Sequence, residues 1–395
     1  MWTNKSYDII VVGGGPAGST FAYHAAAAGL DVIILEKDRD IGMPVRCGEA
    51  VSDAGLRLFH EPRDRWIRSE INRIKLTAPN RTSIEFDLNE SGYILDRRIF
   101  DYDLAQFAAN EGAQIVTRAY VNGLTWEGDS VSGVTGMFLN APFTLKAKIV
   151  VGADGVESRI GRYAGIRTQL KLKDMESAIQ KTVAGIDVRP NRFDFYLSRF
   201  WSPGGYLWVF PKGEHMANIG LGISGNYARE GKAAHRFLDA FLAEYYPGAS
   251  VLTTVVGGVP VAATLKTMVK DGLMLVGDAA HTVNPVTGGG IISGMRSGLL
   301  AAEAAIEVLK KGKKPTASAL KHYEKAWYKI GGKNHERFYR IKEAIHRFSD
   351  DDLNRIADSL LLVPENERSL FKLFSAAVAK KPSLLVDVAR VFTGL

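Results

Sequence analysis

The chain has 395 residues, 46% of them hydrophobic, enough to bury a large core divided into two or three subdomains. Its single cysteine excludes internal disulfides and thiolate metal clusters, so no metal site is expected and a cytoplasmic setting fits. No run of about eighteen apolar residues offers a membrane span, and a net charge of +7 directs attention to nucleic acid or anionic membrane as partners.

The first element is the apolar run Ile9-Ile10-Val11-Val12, followed at once by Gly13-Gly14-Gly15-Pro16-Ala17-Gly18 and an alanine-rich helical stretch. With that glycine fingerprint and no basic leader segment, it reads as a first Rossmann strand rather than a signal peptide. Gly13 permits the tight turn, Gly15 lets backbone close on a pyrophosphate, and Gly18 lets the helix pack on the strand. The helix amino terminus then turns free N–H groups and its positive dipole end toward the phosphates. The next strand, Val32-Ile33-Ile34-Leu35, runs into Glu36 about twenty residues past the glycines. A carboxylate there accepts hydrogen bonds from ribose hydroxyls and favours an adenosine without a 2′-phosphate.

Ile84-Glu85-Phe86-Asp87-Leu88 alternates with period two, as a half-buried strand does. Ile149-Val150-Val151 then enters a second glycine–acid loop, Gly152-Ala153-Asp154-Gly155. Phe193 to Leu197, Tyr206 to Phe210 and Ala217 to Leu221 are short alternating strands parted by Ser202-Pro203-Gly204-Gly205 and Pro211-Lys212-Gly213, the pattern of an antiparallel meander. Alternation puts Tyr206, Trp208 and Phe210 on one face and Leu207 and Val209 on the other. The aromatic face reads either as a core stripe or as one wall of a greasy cavity, where a long apolar chain gains roughly 25 cal/mol per Å² buried. Phe193, Phe195 and Trp201 nearby favour the cavity. A third loop, Gly277-Asp278-Ala279-Ala280, follows Leu273-Met274-Leu275-Val276, with Pro285 and Gly288-Gly289-Gly290 close behind.

Three such loops, each after a buried strand, mark a flavoprotein whose cofactor domain is assembled from separated segments. These are placed at 1–75, 96–165 and 255–310, with 76–95 and 166–254 forming a substrate sheet domain and 311–395 a helical region. Lys321, Lys325, Lys329, Lys333 and Arg337 recur every four residues as a basic stripe, unless Gly331-Gly332 breaks the helix. A solvated helix face is the first reading of that stripe and docking to anionic lipid heads the second. No nucleic-acid module is present. A second GxGxxG–acid unit and a redox cysteine pair are also missing, so the electron donor must share the flavin cavity or dock transiently.

The set of loops resembles the FAD-dependent hydroxylase superfamily that includes p-hydroxybenzoate hydroxylase. Pro44-Val45-Arg46-Cys47-Gly48-Glu49 and Tyr206-Leu207-Trp208-Val209-Phe210-Pro211-Lys212-Gly213 narrow the match. They resemble paired motifs of geranylgeranyl reductases, above all the archaeal digeranylgeranylglycerophospholipid reductases, over residues 6 to 310. The resemblance implies an α/β fold with a Rossmann-type FAD-binding domain, an inserted antiparallel sheet domain and C-terminal helices. The activity it implies is saturation of the isoprenoid chains of membrane ether lipids by reduced FAD. It implies that Gly42 to Glu49 passes the isoalloxazine, with Gly48 and Ala50 beside the ring. Arg46 would neutralise phosphate or the reduced flavin. Cys47 would be a proton donor or a polarisable neighbour of the ring, a small packing residue being the plainer alternative. Arg97 would contact FAD while Arg98 is solvated. Val121 would read adenine through its backbone, Asp278 the ribitol, and the helix starting near Gly289-Gly290-Ile291 would aim its amides at the pyrimidine end. Tyr206, Trp208 and Phe210 would line the lipid site, and His281 is taken as a packing residue. Ferredoxin, a reduced deazaflavin or a nicotinamide are the candidate donors, and a peripheral place at the inner face of the cell membrane follows if the basic stripe docks.

Two rivals stand beside that reading. One is a flavin monooxygenase or halogenase acting on a small aromatic, since Tyr206 to Pro211 loosely echoes the Trp-x-Trp-x-Ile-Pro of flavin halogenases. The other is a non-catalytic flavin-binding electron carrier.

Overall fold

The computed structural model describes residues 2–379 and 382–393. The outermost ends of the first and last expected segments, residues 1 and 394–395, lie outside the described residues, as do 380 and 381.

Five parallel strands form the centre of the first sheet, in the spatial order Leu273–Leu275, Ala141–Gly152, Ser6–Val12, Val32–Leu35, Gln114–Val116. Their cores are continuous apolar runs, as strands covered on both faces require. Val12 pairs with both Leu35 and Gly152, and Gly152 with Leu275. The three glycine–acid loops and Glu36 therefore leave the sheet side by side, at the carboxyl ends of adjacent strands, where open α/β sheets bind ligands. Helix Pro16–Ala27 packs against helix Ile291–Lys310. Gly298 makes that possible, because a methyl group on it would lie 2.3 Å from the carbonyl oxygen of Ala17.

The second sheet has the order Ser250–Pro260, Met175–Ala184, Met216–Ser224, Leu207–Pro211, Arg192–Tyr196, Ile67–Thr77, Ser83–Leu95, Ala50–Ser52. Arg192 to Ser224 is the expected antiparallel meander. The junction of Arg192–Tyr196 with Ile67–Thr77 is parallel, however, because the chain between them leaves to build the first sheet before returning. The sheet also claims more chain than expected. Ala50–Ser52, Ile67–Thr77 and Ser250–Pro260 all pair within it, so the divisions drawn at 75 and 255 fall inside strands.

One face of this sheet is closed by helix Ala234–Tyr245, whose Leu238 and Phe241 pack over Leu207, Val209 and Ile219. Trp201 packs there too, 5.2 Å from the Tyr196 ring, so it belongs to that core and not to the aromatic wall with which it was grouped. Helices Asp350–Leu361 and Leu370–Ala377 pack across Ile74, Leu76, Ile84 and Phe86. Gly331-Gly332 does not break the basic helix: Tyr328–Gly332 forms a π turn continuous with Lys333–Ile345, and Lys321, Lys325, Lys329 and Lys333 stay exposed. Among the described residues, no helix is long and apolar enough to cross a membrane.

Candidate active site

Between the carboxyl ends of the first sheet, the free face of the second and the C-terminal helices lies one continuous cavity of about 1870 Å³. Small-molecule pockets usually measure about 300–1,000 Å³, so this space suits a cofactor together with a further large ligand. Of the residues expected at the site, Gly13, Gly15, Ala17, Glu36, Arg46, Cys47, Gly48, Ala50, Arg97, Val121, Asp278, Gly289, Gly290 and Ile291 line it. So do Tyr206, Trp208 and Phe210. Gly18 stands behind the wall, where a methyl group would lie 2.1 Å from the Gly13 carbonyl oxygen.

The cradle at the first sheet suits a dinucleotide. Neither helix Pro16–Ala27 nor helix Ile291–Lys310 has a side-chain cap at its amino terminus, and both termini open on the cavity. Beyond its own neighbours in the chain, no atom lies within 4 Å of where a Gly15 Cβ would stand. Free N–H groups at an open helix end form an anion site. The Glu36 carboxylate at its edge accepts from the Gly14 and Asp38 N–H groups at 2.8 and 2.9 Å. Burial raises the carboxyl of Asp278, opposed by the Arg97 guanidinium, and that of Asp154, whose Oδ1 is buried with no protein partner. An orphaned buried acceptor on the cavity wall is what a ligand donor would satisfy.

Cys47 is half-buried at the join of the two sheets. Its Sγ accepts the Glu49 N–H at 3.2 Å and its carbonyl accepts Gln180 Nε2 at 2.8 Å. Gln180 Oε1 in turn accepts the Trp208 indole N–H at 3.1 Å, which ties the cysteine loop to the aromatic wall. A methyl group on Gly48 would lie 2.9 Å from the Phe210 ring, so the loop runs flat against that side chain. Glu49 is buried in the left-handed region at φ 71, an uncommon place for a residue other than glycine. Its Oε1 accepts the Arg97 N–H at 2.9 Å, and its Oε2 accepts Lys212 Nζ at 2.5 Å and Asn218 Nδ2 at 2.6 Å. Arg97 is locked in a two-point pair with Asp101 at 3.0 and 2.5 Å. Arg46 is exposed beside Gly257, and Arg98 is exposed and paired with Asp96.

The aromatic wall is continuous. Phe193 and Phe210 are 4.7 Å apart, Phe195 and Tyr206 5.4 Å, and Tyr206 and Trp208 5.8 Å between centroids. The Tyr206 hydroxyl donates to the Thr287 carbonyl, joining the wall to the Gly288–Gly290 loop. His281 lies outside the cavity lining, buried in the left-handed region with Nε2 3.1 Å from the Thr168 carbonyl oxygen.

The sequence patterns assign no role of their own to Glu49, Lys212, Asn218, Gln180 or Glu176. A signal exists for the first two: each motif carries one charge near its end, Glu49 in the first and Lys212 in the second, of opposite sign. Glu176 left none, since an acid beside a strand start looks like a surface residue.

Fold and cradle together define an FAD-dependent oxidoreductase. Residues 8–207 match the family described as FAD dependent oxidoreductase, and 174–259 match the geranylgeranyl reductase catalytic domain. Digeranylgeranylglycerophospholipid reductase from Methanocella arvoryzae is 42% identical over 97% of this chain and 98% of its own. The Methanosarcina acetivorans protein of the same name is 41% identical over 98% and 96%. A geranylgeranyl bacteriochlorophyll reductase-like protein from Thermoplasma acidophilum superposes with TM-score 0.90, at 35% identity over 98% and 100% of the chains. The myxobacterial chondrochloren halogenase shares the fold, with TM-score 0.70 at 18% identity over 97% of each chain. The chain belongs to the geranylgeranyl reductase family, in its digeranylgeranylglycerophospholipid reductase branch, and its cofactor is FAD.

Proposed function

We propose that the protein saturates carbon–carbon double bonds in the geranylgeranyl chains of isoprenoid ether lipids. One observation carries this reading: the aromatic wall and the FAD cradle line the same cavity, which continues beneath the C-terminal helices past Phe348, Leu353, Ile356, Leu370 and Phe374. A small aromatic substrate has no use for that length of apolar space, whereas a twenty-carbon chain fills it.

Reduced FAD, when bound, supplies the hydride. In this reading the Gly13–Gly18 turn holds the pyrophosphate, Glu36 the ribose, Val121 the adenine and Asp278 the ribitol. Gly289, Gly290 and Ile291 face the pyrimidine end, where a positive helix terminus favours the anionic reduced ring. Arg46, Cys47, Gly48, Ala50 and Arg97 border the ring, with Cys47 oriented through Gln180 and Glu49. Tyr206, Trp208 and Phe210 hold the alkene and face any cationic character it develops with their electron-rich rings. The apolar walls keep water from that centre.

The electron donor comes from outside the chain, a ferredoxin or a reduced deazaflavin being the chemical classes that fit. The exposed lysine stripe along Lys321 to Lys333 supports a peripheral, anionic membrane surface as the place where lipid enters. The test is anaerobic incubation of dithionite-reduced protein with an unsaturated geranylgeranyl lipid, read by mass spectrometry. A gain of two mass units per double bond with flavin oxidised in step is the expected result. Unchanged lipid, with flavin oxidised only when air is admitted, would move the assignment to a monooxygenase.

A further inference from the structure

An unactivated trisubstituted alkene accepts hydride only if a proton is delivered before or with it, so the site needs an acid that stays protonated near neutral pH and faces the apolar chain. Glu176 meets that description by geometry. It is 8% exposed, lines the cavity, and its Oε2 is buried without any hydrogen-bond partner. It lies over two glycines, Gly222 of the neighbouring strand Met216–Ser224 and Gly205 of the bend before Leu207–Pro211, with Oε2 3.0 Å from where a Gly205 Cβ would stand and 3.5 Å from that of Gly222. Glycine at both positions leaves the carboxyl room on the cavity face beside Tyr206.

Its place is also right for the ring end of the cofactor. The cross-strand partner of Glu176 is Val259, whose side chain would touch a methyl group on Gly288 at 3.5 Å. The Tyr206 hydroxyl reaches the same loop through Thr287. Glu176 therefore stands where the aromatic wall meets the Gly288–Gly290 loop. Gln180, which holds the Cys47 carbonyl, is about 13 Å further along the same strand. The Cys47 sulfur, by contrast, accepts the Glu49 N–H in the packed turn between the two sheets.

We propose that Glu176 is the catalytic acid of this enzyme, handing its carboxyl proton to one alkene carbon at the end of the aromatic wall. The inference rests on the lipid-reductase reading above. The alkene's π pair forms the new C–H bond to that proton, and Glu176 is left as a carboxylate. The other carbon takes the hydride that reduced FAD supplies, so the alkene gains two electrons and the flavin loses two. A proton from solvent then restores the acid. A carboxyl in an apolar site keeps its proton because burial disfavours the charged form, and here burial pushes Glu176 up to about 8. The titratable groups that bear on it are Tyr206 and Lys342, from helix Lys333–Ile345. Its register partners on strands Met216–Ser224 and Ser250–Pro260 are Ser224 and Val259, with Gly222 beside it, and none of the three titrates near neutral pH. Lys342 does not neutralise Glu176, because its ammonium is held by Asp174 at 2.9 Å, Glu343 at 3.2 Å and the Val261 carbonyl at 3.1 Å.

The experiment compares the wild-type chain with Glu176→Gln, Glu176→Asp and Cys47→Ala. Infrared difference spectra of wild type minus Glu176→Gln, without lipid, should show the carbonyl stretch of a protonated carboxyl at pH 7, fading as pH rises through about 8. Glu176→Gln should bind FAD within about twofold of wild type yet lose roughly 10²–10⁴-fold in single-turnover lipid reduction. Glu176→Asp should recover part of that loss, and Cys47→Ala should fall far less. A wild-type spectrum without the protonated carboxyl, or a Glu176→Gln protein that saturates lipid at the wild-type rate, overturns the assignment while leaving the reductase reading intact. Should Glu176→Gln fail to hold FAD, the infrared band and the Glu176→Asp rate decide. Wild-type protein that leaves the lipid unchanged removes the reductase reading, and this inference with it.

Discussion

Lys212 Nζ lies 2.5 Å from Glu49 Oε2, both side chains buried and 163 residues apart, so that the two motifs carrying the family resemblance are joined by one ion pair. Asn218 Nδ2 completes the acceptor at 2.6 Å, and the Arg97 N–H occupies the other carboxylate oxygen. The cysteine loop is thereby tied to the aromatic strand and to the helix that begins at Arg97.

Removing one partner of that pair leaves a buried charge short of compensation. Lys212→Met is expected to lower stability by about 3–5 kcal/mol, measured by urea unfolding of the holoprotein. Combining it with Glu49→Gln should cost less than the sum of the single changes, since neither charge is then stranded. Additive losses would show that the pair is not coupled.

Gly48 is predicted to be a position where one methyl group changes the reaction but not cofactor binding. In Gly48→Ala the new carbon meets the Phe210 ring at 2.9 Å and must displace it or the loop. Lipid reduction should fall roughly ten- to a hundredfold, the scale of a displacement of about 1 Å at a reacting centre, while flavin absorbance per protein stays at the wild-type value. Loss of flavin would move the defect to the cradle.

Gly18→Ala should do the reverse. Its methyl group would stand 2.1 Å from the Gly13 carbonyl and 3.1 Å from the Ala153 side chain, so helix Pro16–Ala27 must lift away from the turn that meets the pyrophosphate. The variant is expected to purify without its yellow colour. A protein that retains stoichiometric flavin would refute this view of the turn.

The pH dependence of stability follows from two histidines, His335 buried and His346 half-buried. Burial lowers both His335 and His346 to about 4, from the usual value near 6.5. His335 sits between Thr264 Oγ1, at 3.1 Å, and the Val283 carbonyl. His346 lies beside the Lys342 ammonium, which also disfavours its charge. Below pH 6.5 the unfolded chain takes up protons that the folded chain refuses, so stability falls with acidity until about pH 4, where the folded histidines protonate as well. Thermal melts across that window should show the decline, and His346→Gln should make it shallower. An unchanged slope would assign the acid limb to other groups.

The three glycine–acid loops, their strands, Glu36 and the alternation of Tyr206, Trp208 and Phe210 were all legible in the sequence, because each is written in neighbouring residues. Glycine conformations, apolar runs and period-two patterns are local properties, and they locate the cofactor loops and an aromatic face without knowledge of the rest of the chain. What only the tertiary structure decided are relations across sequence. Ile67–Thr77 lies in the second sheet because it pairs with a strand beginning at Arg192, and no residue near position 70 announces that partner. Trp201 turns to the opposite core because Ser202 to Gly205 redirects the chain before Leu207. Glu176 becomes a buried acid whose Oε2 has no partner only because Gly205, from a bend, and Gly222, from the neighbouring strand, leave space over it. Strand register sets such juxtapositions, and register depends on the packing of whole sheets rather than on the pattern within any one strand.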